Sequence, residues 1–447
     1  MEIDAEALFS RPDARIAIVN RPYNARQTVA RLKSLHSHLP LAAFAELKDI
    51  VSGRQRSIGT VSRYFDANEC TRIMGSGSYG TAFRICKSSG CGDCILLKII
   101  DGKSEQYAED LMIEADIHEA LTILVNARRK VGGQQVVGCP HIPPLIKHVK
   151  RSPYLFLFMN LVRDADTLLN FLFSKRGEAT MHKKALDLRG VFFSVLYFLA
   201  CAQSALPNFR HNDLHASNAL VGKPSTQNTT YILAAGPHVQ YFVLPPGTHT
   251  CTVIDFGMSS SNSFHNQVAK DLEKSGIGTQ PCDLYDLHYL VDEILEKVEE
   301  LSEKSAEGFA EFKTAIHRWI SPRFFRSGKL YSRQHKRLTL VGQSELQNAP
   351  HPTPLEILLY DPYFEVFRVP QPSGKVKATA KATIGFEFSH WPRTIQARSS
   401  PRRSDRSASR SRSASRSRSR SASPKRMKRS KSPARAPARA WKRSAEF

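Results

Sequence analysis

The chain has 447 residues, of which 41% are hydrophobic, and this is enough to bury one large core or roughly two or three smaller ones. Its formal charge of +23 is concentrated at the C-terminal end. Residues 398–447 hold 18 Lys or Arg and two acidic residues, a net of +16, while the other 397 residues hold 46 basic and 39 acidic side chains, a net of +7. These values exclude a chain that is polycationic throughout, and they indicate a mildly basic globular body followed by a separate basic tail.

Residues 1–62 are predicted to form an N-terminal extension that is partly helical. Apolar residues have helical spacing over Ala25–Leu47, and the polar residues 54–62 have the composition of a linker. The acidic start is not followed by the apolar stretch of a secretory signal. The eight cysteines are scattered, which is typical of a reducing compartment, so we expect an intracellular protein.

From about Tyr64 the sequence predicts an antiparallel sheet with one helix. Short apolar runs are separated by glycine turns, as in small antiparallel sheets. Between them, Glu105–Val125 has apolar residues near one helix face. The predicted strands of this part are Cys70–Met74, Thr81–Lys87, Ile95–Ile100, Ile142–Val149 and Tyr154–Leu161.

The chain beyond about residue 163 is predicted to be mainly helical. Its most apolar window, Val191–Leu199, is too short and too interrupted to span a bilayer, so we expect a buried core helix and no membrane partner. The predicted helices are Leu168–Phe173, Lys184–Ala205, Leu284–Leu301, Ala306–Ile320 and Leu355–Phe367. A strand-rich part followed by a helix-rich part predicts an α+β protein with two lobes.

Two further segments are predicted to differ from this arrangement. Tyr231–Leu233, Val239–Val243 and Thr250–Ile254 have the pattern of short strands with Gly/Pro turns, which predicts a β-hairpin insertion at about 222–250. Residues 398–447 are rich in Arg and Ser and nearly lack large apolar side chains. Such a segment cannot bury enough surface to offset its ordering entropy, so we predict a disordered tail that a linker at 371–397 joins to the body.

Three glycines mark a candidate phosphate-binding turn near the start of the predicted sheet. Gly75, Gly77 and Gly80 take the first, third and sixth places of a strand-turn-strand. A backbone without β-carbons can close over phosphate oxygens and point N–H groups at them, although a tight hairpin turn has the same pattern. On the first interpretation the nucleotide-binding residues are Gly75, Ser76, Gly77, Ser78, Gly80 and Lys98.

Lys98 lies within the apolar run Ile95–Ile100. A lysine in a buried strand needs an anion, and either a nucleotide phosphate or a carboxylate of the following helix would serve. Glu114 follows Lys98 by 16 residues and is the preferred partner. Glu109 and Glu119 are alternatives that the spacing leaves open.

Asp213, Asn218 and Asp255 are candidates for proton acceptance and metal binding. Asp213 and Asn218 are five residues apart in a polar loop, so Asp213 can accept a proton from a substrate hydroxyl while Asn218 ligates a metal. Asp255 ends an apolar strand and would chelate the Mg²⁺ of ATP, with Mn²⁺ as an alternative. An aspartate at a strand end is also a common turn starter, but the following Phe256-Gly257 favours the metal role.

Four motifs in this order resemble the eukaryotic-type protein kinase superfamily over roughly residues 64–370. They are the glycine turn, the strand lysine Lys98, the loop His211-Asn-Asp-Leu-His-Ala-Ser-Asn218 and the triplet Asp255-Phe256-Gly257. The resemblance implies a catalytic domain at 63–370, with a sheet-containing N-lobe at about 63–162, a helical C-lobe at about 163–370 and ATP in the cleft between them. The loop, the long hairpin and the Arg/Ser tail look most like the serine/threonine kinases of iridoviruses, ascoviruses and poxviruses. That likeness implies a place in the host cytoplasm or nucleus, or in the virion.

Two positions depart from the family's pattern, and a third, which anchors the C-lobe, is left open. The arginine that usually precedes the catalytic aspartate is Asn212 here; because that arginine normally pairs with a phosphorylated activation loop, its absence implies activity without that switch. The lysine that is common two residues after the aspartate is His215, so one γ-phosphate contact is missing or only weakly replaced. The aspartate that anchors the C-lobe is either Asp283 or Asp286, and the sequence does not choose between them.

The sequence thus predicts a serine/threonine protein kinase in which Asp213, Lys98 and Glu114 are catalytic and Asn218 and Asp255 hold the metal. A small-molecule phosphotransferase is one alternative, because antibiotic and choline kinases share the Asp-Leu-His-x-x-Asn loop. A virion scaffold that binds nucleic acid is the other. The basic tail predicts non-specific nucleic-acid binding, or phosphorylation of its 15 serines, or a solvated polycation without a partner.

Overall fold

The computed structural model describes residues 72–77, 80–86, 94–101, 105–132, 134–151, 154–173, 178–266, 282–301, 306–320, 325–326, 329–330, 351–370 and 383–389. Several predictions fall on residues outside these ranges. They concern the extension 1–62, Ser78, the tail 398–447 and most of the interval 371–397.

The described residues form strands and helices that alternate along the chain. The strands are β1 (Arg72–Gly77), β2 (Gly80–Cys86), β3 (Cys94–Asp101), β4 (Arg128–Val131), β5 (Gln134–Val137), β6 (Leu145–Arg151), β7 (Tyr154–Asn160), β8 (Asp166–Thr167), β9 (Ala219–Val221), β10 (Thr229–Ala235), β11 (His238–Leu244), β12 (Cys251–Val253), β13 (Phe325–Arg326), β14 (Lys329–Leu330), β15 (Arg368–Val369) and β16 (Thr383–Glu387). The helices are α1 (Glu105–Asn126), α2 (Leu168–Phe173), α3 (Glu178–Ala205), α4 (Tyr285–Glu299), α5 (Ala310–Trp319) and α6 (Pro354–Tyr360), with 3₁₀ turns at Ala216–Asn218 and Pro362–Phe367.

Five strands form an antiparallel sheet in the order β1-β2-β3-β7-β6. β3 is central, since it pairs along its length with both β2 and β7. Successive side chains of a strand point to opposite faces, so Lys98 lies on one face of β3 and its neighbours Leu97 and Ile99 are buried on the other. Helix α1 covers the sheet through Ala115, which packs in one cluster with Ile100. The sheet thus places Lys98 opposite the helix that carries Glu114.

A second sheet of six strands joins distant parts of the chain in the order β15-β11-β10-β16-β5-β4. β10 and β11 form an antiparallel hairpin inside 222–250, the interval where the sequence predicts one. Gly236 in its turn has a φ of 56°, a left-handed conformation that glycine adopts without a steric cost. The sequence analysis missed β4 and β5, which follow α1 and form the other end of this sheet.

Strand β16 corrects the prediction of a linker over 371–397. It lies between β10 and β5 and is parallel to both. Ile384 and Phe386 are buried there, and a β-carbon on Gly385 would lie 2.9 Å from the side chain of Val136. This part of the interval therefore belongs to the folded body, because its apolar face completes the second sheet.

The strand predicted at Thr250–Ile254 is β12, and it pairs with β9 rather than with the hairpin. β9 pairs in turn with β8, which makes a three-stranded sheet in the order β12-β9-β8. This small sheet connects the loop that ends at Asn218 with the strand that leads into Asp255. Asn218 precedes β9 and Asp255 follows β12, so both predicted metal ligands lie at the same end of this sheet.

Helix α3 runs through the core of the helical part. Every residue from Val191 to Leu199 is at most 1% exposed. By length and composition alone Asp187–Ala205 could cross a membrane, but 78% of its apolar window is buried inside the protein. Phe192 stacks near Phe312 and Trp319 of α5, with ring centroids 4.7 and 5.8 Å away. The apolar window is a core helix, as predicted.

Cys94 at the start of β3 is disulfide-bonded. Cys139, Cys201, Cys251 and Cys282 are buried and are not in disulfide bonds.

The described chain is thus a mixed α+β protein with antiparallel sheets and several helices. The predicted α+β class is confirmed at this level. The arrangement is compatible with the kinase-like fold that the motif order implies.

Candidate active site

Lys98 is bonded to two carboxylates that come from different parts of the chain. Its Nζ lies 2.8 Å from Glu114 Oε1 and 2.7 Å from Asp255 Oδ1. Burial by itself would lower the pKa of Lys98, but the charges of Asp255 and Glu114 outweigh it, so the pKa is raised. Lys98 is therefore a permanent cation that joins β3, α1 and the end of β12.

Glu114 is the glutamate that reaches Lys98. It projects from α1, and the residue is only 4% exposed. Glu119, an alternative that the sequence left open, instead lies 4.0 Å from His148. The side chain of Glu109 is outside the described part of the chain. The register of α1 on the sheet therefore selects Glu114.

Asp255 has an unusual backbone conformation and a strongly acidic carboxyl group. Its φ is 67°, in the left-handed region that aspartate tolerates better than most residues. Partial desolvation acts to raise its pKa, but the ammonium group of Lys98 outweighs it and lowers the pKa to about 2. The side chain keeps 44% of its surface exposed. Asp255 thus presents an ionised carboxylate to solvent at neutral pH, as a hard cation requires.

Gly257 must be small because two carboxylates approach it. A β-carbon at this position would lie 3.0 Å from Glu114 Oε2 and 3.3 Å from Asp255 Oδ1. The backbone N–H of Gly257 also donates to Asp255 Oδ1 at 3.3 Å. The glycine of the triplet thus lets the chain turn away directly beside the ion pair.

The loop that carries Asp213 is held by two backbone hydrogen bonds to the side chain of Asp286. The backbone N–H groups of His211 and Asn212 donate to the two oxygens of Asp286, each at 2.8 Å. Asp286 belongs to α4 and is 1% exposed. The ring Nε2 of His211 lies 3.0 Å from the carbonyl oxygen of Ile254. Asp286, and not Asp283, therefore anchors the loop and ties it to the strand that ends at Asp255.

Asn218 is oriented by a hydrogen bond to the backbone of Asp213. Its Nδ2 donates to the backbone carbonyl of Asp213 at 2.9 Å. Since the amide nitrogen faces Asp213, the amide oxygen points elsewhere and can act as a metal ligand. Ile254 N donates to the backbone oxygen of Asn218 at 3.0 Å, which brings Asn218 next to the start of the triplet. Oxygens of one amide and one carboxylate suit Mg²⁺ or Mn²⁺.

Phe256 is fixed between two histidine rings. Its centroid lies 5.0 Å from that of His118 and 5.3 Å from that of His211, and its side chain is fully buried. Burial lowers the pKa of His118 to about 4, so the ring is neutral near pH 7, and its Nε2 donates to the carbonyl of Pro143 at 2.6 Å. His118 was not assigned to the site from the sequence. It follows Glu114 by four residues, about one helical turn, and this spacing could have indicated that both side chains lie on the same helix face.

The glycine turn forms a two-strand hairpin between β1 and β2. Gly77 pairs with Gly80, and the register shifts between Ile73 and Gly75. A β-carbon on Gly80 would lie 2.4 Å from the carbonyl oxygen of Ile99, so Gly80 is required by the close approach of β3. Ser76 lies in β1 and Ser78 is outside the described residues.

His215 lies beside the predicted proton acceptor. Its Nδ1 accepts a hydrogen bond from Ser217 N at 3.2 Å, which leaves the proton of the neutral ring on Nε2. That Nε2 lies 3.8 Å from Asp213 Oδ2. Both side chains are about one quarter exposed, at 28% and 25%, so they border solvent.

Comparison with known proteins gives one partial similarity. The chain is 28% identical over 190 residues to a protein of Acanthamoeba polyphaga mimivirus named "Putative serine/threonine-protein kinase". The similar region covers 40% of this chain and 38% of the mimivirus protein, so it spans less than half of either. No family model matches the chain. The similarity supports a kinase-like relationship with a viral protein.

Proposed function

We propose that this chain is a protein kinase that transfers the γ-phosphoryl group of ATP to serine or threonine hydroxyls of proteins. The observation that carries the proposal is the double ion pair of Lys98. A buried-strand lysine contacts Glu114 16 residues away and Asp255 157 residues away, and each contact is shorter than 3 Å. A phosphoryl-transfer site needs a cation held at a fixed place beside a metal-binding carboxylate, which this arrangement supplies.

In the proposed mechanism the five-stranded sheet with α1 forms one lobe and the helical part forms the other. Lys98, held by Glu114, contacts phosphate oxygens of ATP beneath the glycine hairpin. Asp255 and the amide oxygen of Asn218 would hold Mg²⁺, and the metal would supply positive charge that neutralises the phosphates.

Asp213 positions the acceptor and takes its proton. The substrate hydroxyl oxygen forms a bond to the γ-phosphorus as the bond between that phosphorus and the bridging oxygen of ADP breaks. The hydroxyl proton passes to the carboxylate of Asp213. The fixed loop geometry, set by Asp286, lets the protein hold these groups in line without rearrangement.

A label-transfer assay with a matched control tests this proposal. Purified protein is incubated with labelled ATP, Mg²⁺ and a basic protein, and Asp255→Asn and Glu114→Gln are compared with wild type. Glu119→Gln is the control, because Glu119 lies on the same helix but faces His148. We expect both site variants to lose about 10²-fold or more in transfer rate, as the loss of a positioned charge does in other enzymes. Full transfer by Asp255→Asn would defeat the proposal.

Two other outcomes would point to the alternatives. ATP consumption with small alcohols but no labelling of protein would favour a small-molecule phosphotransferase. The absence of any thermal shift in millimolar Mg-ATP would favour a scaffold, because a ligand that binds the native state stabilises it.

We further propose that the tail binds nucleic acid and releases it on phosphorylation. Residues 398–447 carry a net charge of +16 and 15 serines. Each phosphate adds about −1.5 to −2, so roughly nine of them would cancel that charge. An electrophoretic shift at fixed salt before and after phosphorylation tests this, and an unchanged affinity would reject it.

A further inference from the structure

The segment that follows the triplet, Met258–Asn266, is attached to the loop before Asp213 by its main chain. Arg210 and Ser260 exchange two backbone hydrogen bonds of 2.9 Å each. Ser261 and Phe264 form a second bridge that closes the segment on itself. Ser260, Ser261 and Phe264 follow Asp255 by only five, six and nine residues, so these bonds bear on the position of its carboxylate.

Asn212 fastens the first part of this segment with its side-chain amide. The residue is fully buried, and its Nδ2 donates to the carbonyl of Met258 and to Ser260 Oγ, each at 2.9 Å. Both protons of that nitrogen are therefore used. Its φ of 63° aims the side chain at the segment, in a conformation that asparagine tolerates. The backbone N–H of Asn212 donates to Asp286, so the carboxylate that holds the loop also holds the residue that carries this amide.

Asn266 fastens the same segment from its other end. It is 2% exposed, and its Nδ2 donates to the carbonyl of Gly257 at 2.9 Å and to that of Ser259 at 3.1 Å. The two asparagine amides together bind four consecutive residues, 257–260. Gly257 N in turn donates to Asp255 Oδ1.

We propose that Asn212 and Asn266 are positioning residues whose two side-chain amides act as a clamp on residues 257–260 and, through them, fix Asp255. Buried donors need partners, and here each amide finds its partners in main-chain and serine oxygens. The inference rests on the proposed phosphoryl transfer for its activity readout but not for its structural one.

The chain offers a matched control in Asn208. It also has a left-handed φ, of 60°, and its Nδ2 donates to Asn262 Oδ1 of the same segment at 2.7 Å. Asn208 and Asn262 are both exposed, so water replaces that bond when it is lost. Aspartate keeps the size and tolerates the left-handed backbone, but its carboxylate cannot donate a hydrogen bond. Asn212→Asp therefore removes two buried hydrogen bonds and also buries a charge, whereas Asn208→Asp removes one exposed hydrogen bond.

Two measurements on the full chain test the clamp. Asn212→Asp should lose about 10²-fold in kcat, as a misplaced catalytic group does, while its KM for ATP stays within about twofold. Hydrogen exchange at the N–H of Ser260 should become faster in Asn212→Asp and stay unchanged in Asn208→Asp, because only the first opens a protected segment.

Distinct results separate the failure of this inference from the failure of the proposed function. If Asn212→Asp transfers phosphate as fast as an active wild type, the clamp is overturned while the kinase proposal stands. If no state of the wild type transfers phosphate, the proposed function fails, and the exchange data alone decide the clamp. Equal Ser260 exchange in the two aspartate variants would overturn it. Should Asn212→Asp not fold, Asn266→Asp provides the same comparison from the other end.

Discussion

Replacement of Asp286 tests whether one buried carboxylate holds the loop that carries the predicted proton acceptor. The residue is 1% exposed, and its two oxygens accept the backbone N–H groups of His211 and Asn212, each at 2.8 Å. Removing this carboxylate leaves two buried backbone N–H groups without that partner, and each such group costs about 1–3 kcal/mol. We therefore expect Asp286→Ala to lower the free energy of unfolding by about 2–6 kcal/mol. Asp286→Asn keeps one acceptor and should cost about 2 kcal/mol.

Urea unfolding followed by circular dichroism, with linear extrapolation to water, measures these differences. Asp283→Ala is the control, because Asp283 lies three residues earlier in the chain and the loop N–H groups are bonded to Asp286 instead. We expect the control to cost less than about 1 kcal/mol, as is usual away from buried networks. Equal costs at Asp283 and Asp286, or a cost below about 1 kcal/mol for Asp286→Ala, would refute the anchoring argument.

Three further changes follow from the same structure. Burial lowers the pKa of His118 to about 4 and that of His288 to about 3, below the ordinary 6.5, so the unfolded chain takes up protons first as the pH falls. The free energy of unfolding should therefore drop by about 1.4 kcal/mol per pH unit for each of these rings below pH 6.5, and a flat urea-unfolding profile down to pH 5 would contradict this. Gly80→Ala should cost about 1–3 kcal/mol, because its β-carbon would lie 2.4 Å from a carbonyl oxygen of β3. In Gly222→Ala the new β-carbon would meet nothing within 4 Å, and equal melting temperatures for the two variants would reject that reasoning. His215→Ala should slow phosphoryl transfer about tenfold and His215→Lys should preserve it, as measured by kcat with saturating ATP; an unaffected alanine variant would show that the ring makes no contact in the reaction.

Local patterns in the sequence were sufficient for the fold class and for the contact between Lys98 and Glu114. Alternating apolar runs and helical spacing depend only on near neighbours, so the antiparallel strands around Lys98 and the core helix α3 could be predicted from them. The separation of 16 residues between Lys98 and Glu114 indicated the partner that the structure shows. The order of the motifs placed Asp213, Asn218 and Asp255 in one proposed site before any contact was known.

Contacts between distant residues could be decided only by the tertiary structure. Asp283 and Asp286 have nearly the same local sequence, and only the packing of α4 beneath the loop selects Asp286. Strand β16 pairs in parallel with β10 and β5, and such pairing between distant segments leaves no local signal, so its interval was predicted as a linker. The amides of Asn212 and Asn266 were unpredictable for the same reason: a hydrogen bond across tens of residues depends on where the folded chain brings donor and acceptor together.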